Sequence, residues 1–242
     1  MFRCSASGGD GLRPVPPTAD SGVAVISVVE SVRLKGVDKE IIIVDDYSTD
    51  GTRKKLSNLG NKKIKVALHE KNKGKGAAIK TGLKHASGDI IIFQDADLEY
   101  DPHDYGKLIQ PIINDESDAV YGSRFLGKDK AFKKSYKSLL PFNYFGNKLL
   151  TIATNILYGS SLTDMDTCYT VFKSSVLKGL KLRSDSFEIT PEITAKILKN
   201  KVRVKEVSIK YSPRSHAAGK KLSFWKDGAK AFYCLLKYRF IN

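Results

Sequence analysis

The sequence predicts an α/β fold, with a mainly parallel sheet and helices on both faces. Three observations predict it. Short β-branched apolar runs, "EIIIVDD", "KIKVALHE", "DIIIFQDAD" and "DAVYGSR", recur through the first half of the chain, and each reads as a buried strand. Helical patterns separate them, the alternation that builds a parallel sheet. With 242 residues, 41% of them hydrophobic, the chain is long enough for one sizeable core.

In chain order, residues 1–22, "MFRCSASGGDGLRPVPPTADSG", lack any period and are expected to form a disordered tail. A single domain is expected over 23–242. One helix should follow "STDGT", with Ser48, Thr49 and Asp50 as capping candidates. A second starts near Gly74, in "GKGAAIKTGLKHA", and a third after Pro102. In the second half, Phe142 to Gly159 is a helical stretch with sparse charge, and "DTCYTVFK" is a short strand. "SFEITPEITAKILKN" reads as a helix entered around Pro191, "VRVKEVSIKYSPR" as an alternating strand, and "SFWKDGAKAFYCLLKYRF" as a basic amphipathic helix.

The net charge is +15 and the pI near 9.6, so the chain is drawn to something anionic: nucleic acid, an acidic membrane surface or a phosphorylated small molecule. No basic and aromatic recognition module stands out, which argues against nucleic acid. The three cysteines, Cys4, Cys168 and Cys234, have neither zinc-site nor disulfide spacing, and point to a reducing compartment. No window reaches the roughly 18 apolar residues of a spanning helix, and the N-terminus lacks the apolar segment of a secretory signal. Membrane contact is therefore expected to be peripheral.

Ligands of such sheets bind beyond the carboxyl ends of the strands. Asp45 and Asp46 close one strand, and Asp95 and Asp97 another, so both pairs are expected to face one crevice. A D-x-D triplet there suits a hard divalent cation shared with a phosphate. "NKGKGAAIKTG" sets lysines and small residues at a helix start, where backbone N–H groups can meet an anion. It lacks the spacing of a Walker loop. Arg124 in "YGSRF" suits either a bidentate phosphate contact or a surface salt bridge. "YSPRSHAAGKKLSF" places Arg214, Lys220 and Lys221 in a Gly-containing loop of the kind that closes over phosphates.

Taken in order, "IIIVDDYSTDGT", "NKGKGAAIKTGLKHASGDIIIFQDADLEYDP", "YGSRF", "TDMDTCYTVFK", "FEITPEITAKIL" and "VKEVSIKYSPRSHAAGKKLSFWKDG" resemble the family 2 glycosyltransferases of GT-A fold. Within that family they look most like the branch of dolichol-phosphate mannose synthase and the bacterial polyprenyl-phosphate glycosyltransferases. The resemblance runs from about Val28 to Phe240. It implies a single Rossmann-like GT-A domain. Its nucleotide-sugar-binding half would be about 23–125, and its acceptor and membrane-facing half about 126–242. It implies inverting, metal-dependent transfer of a sugar from a GDP- or UDP-linked donor to a polyprenyl phosphate, at the cytoplasmic face of a membrane with an anionic surface. Asp45 and Asp46 match the nucleoside-binding pair. Asp95 and Asp97 match the element that holds Mg²⁺ or Mn²⁺ and the diphosphate, with Glu99 as a third metal ligand. Lys75 joins the donor-binding set. Arg124, with Lys134 and Ser135, falls where the acceptor phosphate is expected. Arg214 and Lys220 match the loop that closes on the donor, and Asp97, Arg124 and Arg214 form the implied catalytic set.

The sequence departs from this pattern at its front. Where the family has a first strand and a P-x-Y-N-E turn, this chain has "GDGLRPVPPTADSG". The first strand is thus missing or replaced, with residues 23–29 as one substitute, and weaker donor binding, or none, is expected. Tyr47 also stands where the family commonly has Gly. Two other readings stay open. One is transfer to a saccharide, which would want a carboxylate base, Glu192 or Asp164. The other is an inactive relative that binds a membrane or a partner.

Overall fold

The structure, a computed structural model, describes residues 2–3, 23–24, 38–59, 64–95, 99–127, 141–212 and 224–241. The strands are β1 (Phe2–Arg3), β2 (Val23–Ala24), β3 (Asp38–Lys39), β4 (Ile41–Asp45), β5 (Ile64–Leu68), β6 (Ile90–Ile92), β7 (Ala119–Ser123), β8 (Thr170–Lys173) and β9 (Val204–Ser208). The helices are α1 (Thr52–Ser57), α2 (Lys75–His85), α3 (Tyr105–Ile113), α4 (Pro141–Tyr158), α5 (Ser174–Lys178), α6 (Ile189–Lys199) and α7 (Phe224–Phe240). A 3₁₀ turn, Pro102–Asp104, leads into α3.

Two sheets, ordered β3-β1-β6-β8-β7-β9 and β2-β4-β5, meet at Glu40 between β3 and β4. β4 and β5 are parallel, as are β7 and β9, while β8 runs antiparallel between β6 and β7. β1 is antiparallel to both β3 and β6, so β3 and its continuation β4 point the same way as β6. Strands β4, β5, β6, β7 and β9 therefore share one direction, and their carboxyl ends share one rim. Between β4 and β6 stand two short antiparallel pairings. Val23 and Ala24 oppose Asp45 and Val44, and Phe2 opposes Ile90. The substitute expected at residues 23–29 is present at Val23–Ala24, and residues 25–29 lie outside the described residues.

The core follows the period of two along each strand. Ile90, Ile92, Val120 and Val171 face one side, under Leu108, Ile109 and Ile112 of α3. Ile91, Ala119, Tyr121 and Phe172 face the other, under Ile189, Ile193 and Ile197 of α6. A third cluster joins Leu150 and Leu157 of α4 to Cys234, Leu235 and Tyr238 of α7. Pro191 sits in the first turn of α6, where its missing N–H leaves no hydrogen bond unmade. Of the capping candidates before α1, Asp50 accepts from the Thr52 N–H at 3.0 Å, while Gly51, at φ 85°, holds the cap position itself.

Glu40 fastens the junction of the two sheets. Its carboxylate accepts from Ser87 N at 2.6 Å, Gly88 N at 2.7 Å and Lys65 Nζ at 3.0 Å. Burial opposes its charge, but these donors outweigh burial and bring its pKa from 4.5 to about 2. A carboxylate with a depressed folded pKa contributes stability above its unfolded pKa and loses it as pH falls through the folded one. Glu40→Gln is expected to destabilise the fold by about 1–2 kcal/mol at neutral pH, a figure discounted because Lys65 is half exposed. Thermal melts should show that difference shrinking between pH 4.5 and about 2.

Candidate active site

Three strands deliver their terminal residues to the rim: Asp45 and Asp46 after β4, Asp95 after β6 and Arg124 after β7. The Asp45 carboxylate is fully buried. It accepts from Ser48 N at 3.2 Å and pairs with Arg53 Nε at 3.2 Å. Between them, Tyr47 adopts φ 71°, the left-handed region that glycine enters freely and a tyrosine only under strain. The Arg53 guanidinium lies 5.4 Å from its ring centroid and partly offsets that strain.

Asp46 turns to the neighbouring loop. Its carboxylate meets His69 Nδ1 at 2.7 Å and accepts from Lys73 N at 2.8 Å and Gly74 N at 2.7 Å. The second ring nitrogen of His69 meets Thr81 Oγ1 at 2.9 Å. The anion met by the N–H groups of this glycine-containing loop is therefore the chain's own carboxylate. The loop is pressed against residues 184–185: a Cβ at Gly74 or Gly76 would fall on the carbonyl oxygen of Asp185 or Ser184, so this approach requires glycine.

The same loop carries Lys75 into the rim. Its Nζ donates to Asp95 Oδ2 at 2.7 Å and to Cys168 Sγ at 3.4 Å. Burial disfavours the ammonium, but the Asp95 carboxylate and the Cys168 sulfur outweigh it, and the pKa of Lys75 rises above its ordinary value. Residues 73–75 thus link Asp46 to Asp95.

Arg124 is buried and bound along the Nε–Nη2 edge of its guanidinium. Nε and Nη2 donate to the two oxygens of Asp164, each at 2.7 Å, and the Arg124 backbone N–H adds a third bond at 3.0 Å. Nη2 also donates to the Asp166 carbonyl at 3.0 Å and, with the Asn147 amide oriented to satisfy both its ends, to Asn147 Oδ1 at 3.1 Å. Glu206 of β9 steadies the turn by accepting from Thr163 N and Asp164 N. Of the two options at Arg124, the ion pair forms, and it is buried rather than superficial. The guanidinium carbon stands 5.3 Å from the Tyr211 ring centroid, and Tyr211 donates to Glu99 Oε2 at 2.8 Å. Tyr100 joins the two groups, its hydroxyl accepting from Cys168 N at 3.2 Å and its ring centroid 5.0 Å from that of Tyr211, so the rim is one connected set from Asp46 to Glu99.

Residues 18–180 match the sequence pattern described as Glycosyl transferase family 2. The chain belongs to that family. It is a glycosyltransferase, and its α/β fold, a mixed sheet flanked by helices, is GT-A. Among its family 2 relatives is the UDP-N-acetylglucosamine–dolichyl-phosphate N-acetylglucosaminyltransferase of Methanococcus voltae, 35% identical over 91% of this chain and 92% of the relative. Another is the dolichol-phosphate mannosyltransferase of Pyrococcus furiosus, 31% identical over 77% of this chain and 52% of the relative. Among solved structures, Mycobacterium tuberculosis glucosyl-3-phosphoglycerate synthase with Mn²⁺, UDP and phosphoglyceric acid overlays with a TM-score of 0.57 at 17% identity. That overlay covers 85% of this chain and 69% of the other.

The fold gathers Asp45, Asp46, Lys75, Asp95, Glu99 and Arg124 on the rim. Asp97, Lys134, Ser135, Arg214 and Lys220 lie outside the described residues. Of the three carboxylates expected to hold Mg²⁺ or Mn²⁺, Asp95 and Glu99 are described, and among the described residues no group of three or more Asp, Glu, His or Cys side chains is placed to hold a metal ion. Glu99 is buried and turned toward Tyr211, so its Oε2 is already engaged. His69, Tyr211 and Glu206 were missed as site residues by sequence reasoning. A signal for His69 existed: with β4 and β5 parallel and Asp45 opposite Leu68, the residue after each strand abuts the other. Glu206 and Tyr211 lie within "VKEVSIKYSPRSHAAGKKLSFWKDG", but their roles become visible only once β9 is docked on β7.

Proposed function

We propose that this glycosyltransferase moves a sugar from a nucleotide-sugar to a polyprenyl phosphate, with inversion. A phosphate oxygen of the lipid forms the new bond to the anomeric carbon. The bond from that carbon to the donor diphosphate breaks, and the nucleoside diphosphate leaves with the electron pair. The acceptor is already an anion, so no strong base is required; positioning two anions against each other is the main task. Asp45 and Asp46 bound the nucleoside side of the crevice. Asp95 and Asp97, backed by Glu99, would hold Mg²⁺ or Mn²⁺, which supplies neutralisation of the leaving diphosphate. Lys75 contributes a fixed positive charge beside Asp95. Lys134 and Ser135 serve the lipid phosphate beside Arg124, whose guanidinium is held in place by Asp164, and Arg214 and Lys220 close on the donor.

The observation that carries this reading is the state of the two carboxylates a saccharide acceptor would need. Asp164 is bound to Arg124 through both oxygens. Glu192 accepts from Arg183 N at 2.8 Å, Ser184 N at 2.7 Å and Lys196 Nζ at 2.5 Å. Burial raises its pKa and these donors more than offset it, leaving a poor proton acceptor. The names of the relatives from M. voltae and P. furiosus support the same acceptor class. Among the described residues no helix is long and apolar enough to cross a membrane, so work on a membrane lipid, at the cytoplasmic face, would be peripheral.

The test is incubation with radiolabelled nucleotide-sugars, polyprenyl phosphate and Mg²⁺ or Mn²⁺, followed by organic extraction. Labelled lipid is expected. Label in a water-soluble saccharide would overturn the acceptor, and no turnover with any donor would favour the inactive relative.

A further inference from the structure

Glu192 is the only charged residue among the buried residues of α6. Ile189, Ile193 and Ile197 beside it enter the core, and an apolar side chain at 192 would avoid the cost of burying a carboxylate. The charge serves the segment before the helix. Oε1 accepts from Arg183 N at 2.8 Å and Oε2 from Ser184 N at 2.7 Å, nine and eight residues back. Lys196, one turn on, pairs with Oε1 and donates to the Lys181 carbonyl, and its Nζ lies 4.4 Å from the ring centroid of Tyr238 on α7. The other edge of residues 183–185 lies on α2. Gly74 offers no side chain to cap that helix, and the Asp185 carbonyl stands in, accepting from Ala77 N at 3.0 Å. Lys80 of α2 reaches back, its Nζ donating to Asp185 Oδ1 at 2.5 Å and to the Arg183 carbonyl at 3.3 Å.

We propose that Glu192 is a positioning residue for donor binding: it fixes residues 183–185 as a clip, and the clip sets the first turn of α2, with Lys75, against Asp95. The proposal rests on the reading of this rim as the donor site. Three features of the geometry support it. The line of contacts is short and continuous. It runs from Glu192 to the N–H groups of 183 and 184, from the carbonyl of 185 to Ala77, and from Lys75 Nζ to Asp95 Oδ2 at 2.7 Å. The clip has no slack, because a Cβ at Gly74 or Gly76 would strike the carbonyl of Asp185 or Ser184. Any shift of the clip therefore moves the α2 backbone, and with it the Gly74 N–H that donates to Asp46 at 2.7 Å. Both oxygens of Glu192 are taken by these donors, so it acts through the segment it holds and not as the proton acceptor that a saccharide would want.

The experiment compares wild type with Glu192→Gln, Lys80→Met and Glu40→Gln. Calorimetric titration of UDP and of GDP with Mn²⁺ present reads the site, and amide hydrogen exchange at Ala77 reads the clip. Glu192→Gln keeps the side chain's shape but replaces one of its two accepting oxygens with a donor. It is expected to weaken nucleotide binding and to speed exchange at Ala77, each by about 10-fold. Lys80→Met, which loosens the clip at an exposed ion pair, should do both by about 2-fold. Glu40→Gln lowers stability at the opposite end of β4 from the rim and should leave nucleotide affinity unchanged. The proposal is overturned if Glu192→Gln binds nucleotide as tightly as wild type, or if its Ala77 amide exchanges no faster than in Glu40→Gln. Should Glu192→Gln not fold, Lys80→Met decides by the same two readings. If wild type binds neither nucleotide, the donor reading fails, and exchange at Ala77 alone decides whether Glu192 sets α2.

Discussion

Asp95→Asn is expected to lower sugar transfer by about 10²–10³-fold, the usual loss when one preorganised charge-stabilising group is removed. The substitution also withdraws the carboxylate that neutralises Lys75, whose side chain is only 20% exposed. A stability loss of about 1–3 kcal/mol should therefore accompany it. The two effects separate in the double variant Lys75→Met/Asp95→Asn, which removes both charges together. Its melting temperature should return toward wild type, because no buried charge is stranded, while transfer stays low. Recovery of transfer along with stability would show that Asp95 acts only as the partner of Lys75, and would remove it from the donor site. Measurements at a fixed Mn²⁺ concentration, by thermal denaturation and initial rates, decide between these outcomes.

Asp164→Asn should produce the largest loss of stability. Asp164 is fully buried and binds Arg124, itself 7% exposed, through three hydrogen bonds. Removing one partner of a buried ion pair costs about 3–5 kcal/mol, because the other is left charged without compensation. In a chain of this size that corresponds to a fall in Tm of about 10 °C. Transfer measured well below the new Tm should also fall, since the amide no longer fixes the guanidinium in its fork geometry. The discriminating outcome is a variant with unchanged Tm and abolished transfer. That pattern belongs to a catalytic base and would reinstate the saccharide acceptor.

How far the sequence spoke depended on whether a signal was local. The β-branched runs ending at Asp45, Ile92 and Ser123 announced their strands, because a strand buried on both faces leaves little choice of residue. The helix at 141–158 was legible from its sparse charge: Lys148 is the one charged residue in it. What the sequence could not convey was where each carboxylate spends its hydrogen bonds. Asp46 and Asp164 look alike in one dimension. One closes on Lys73 and Gly74, 27 and 28 residues away, and the other on Arg124, 40 residues away. Such pairings are fixed by packing at a distance, not by neighbours in the chain. The front of the sheet was legible only in part: residues 23–29 offered a substitute strand, of which Val23–Ala24 pairs, whereas nothing in residues 1–22, expected to form a disordered tail, marked the pairing at Phe2–Arg3.

The tie between Asp46 and the N–H groups of Lys73 and Gly74 has a consequence for any incoming nucleotide. A loop of this kind can be left to collapse around its ligand, so that each binding event bears the entropy of ordering it. Here a resident anion inside the fold already settles the loop's shape, and the ordering is completed once, when the chain folds. Whatever affinity the crevice has for its donor is correspondingly undiminished by that step.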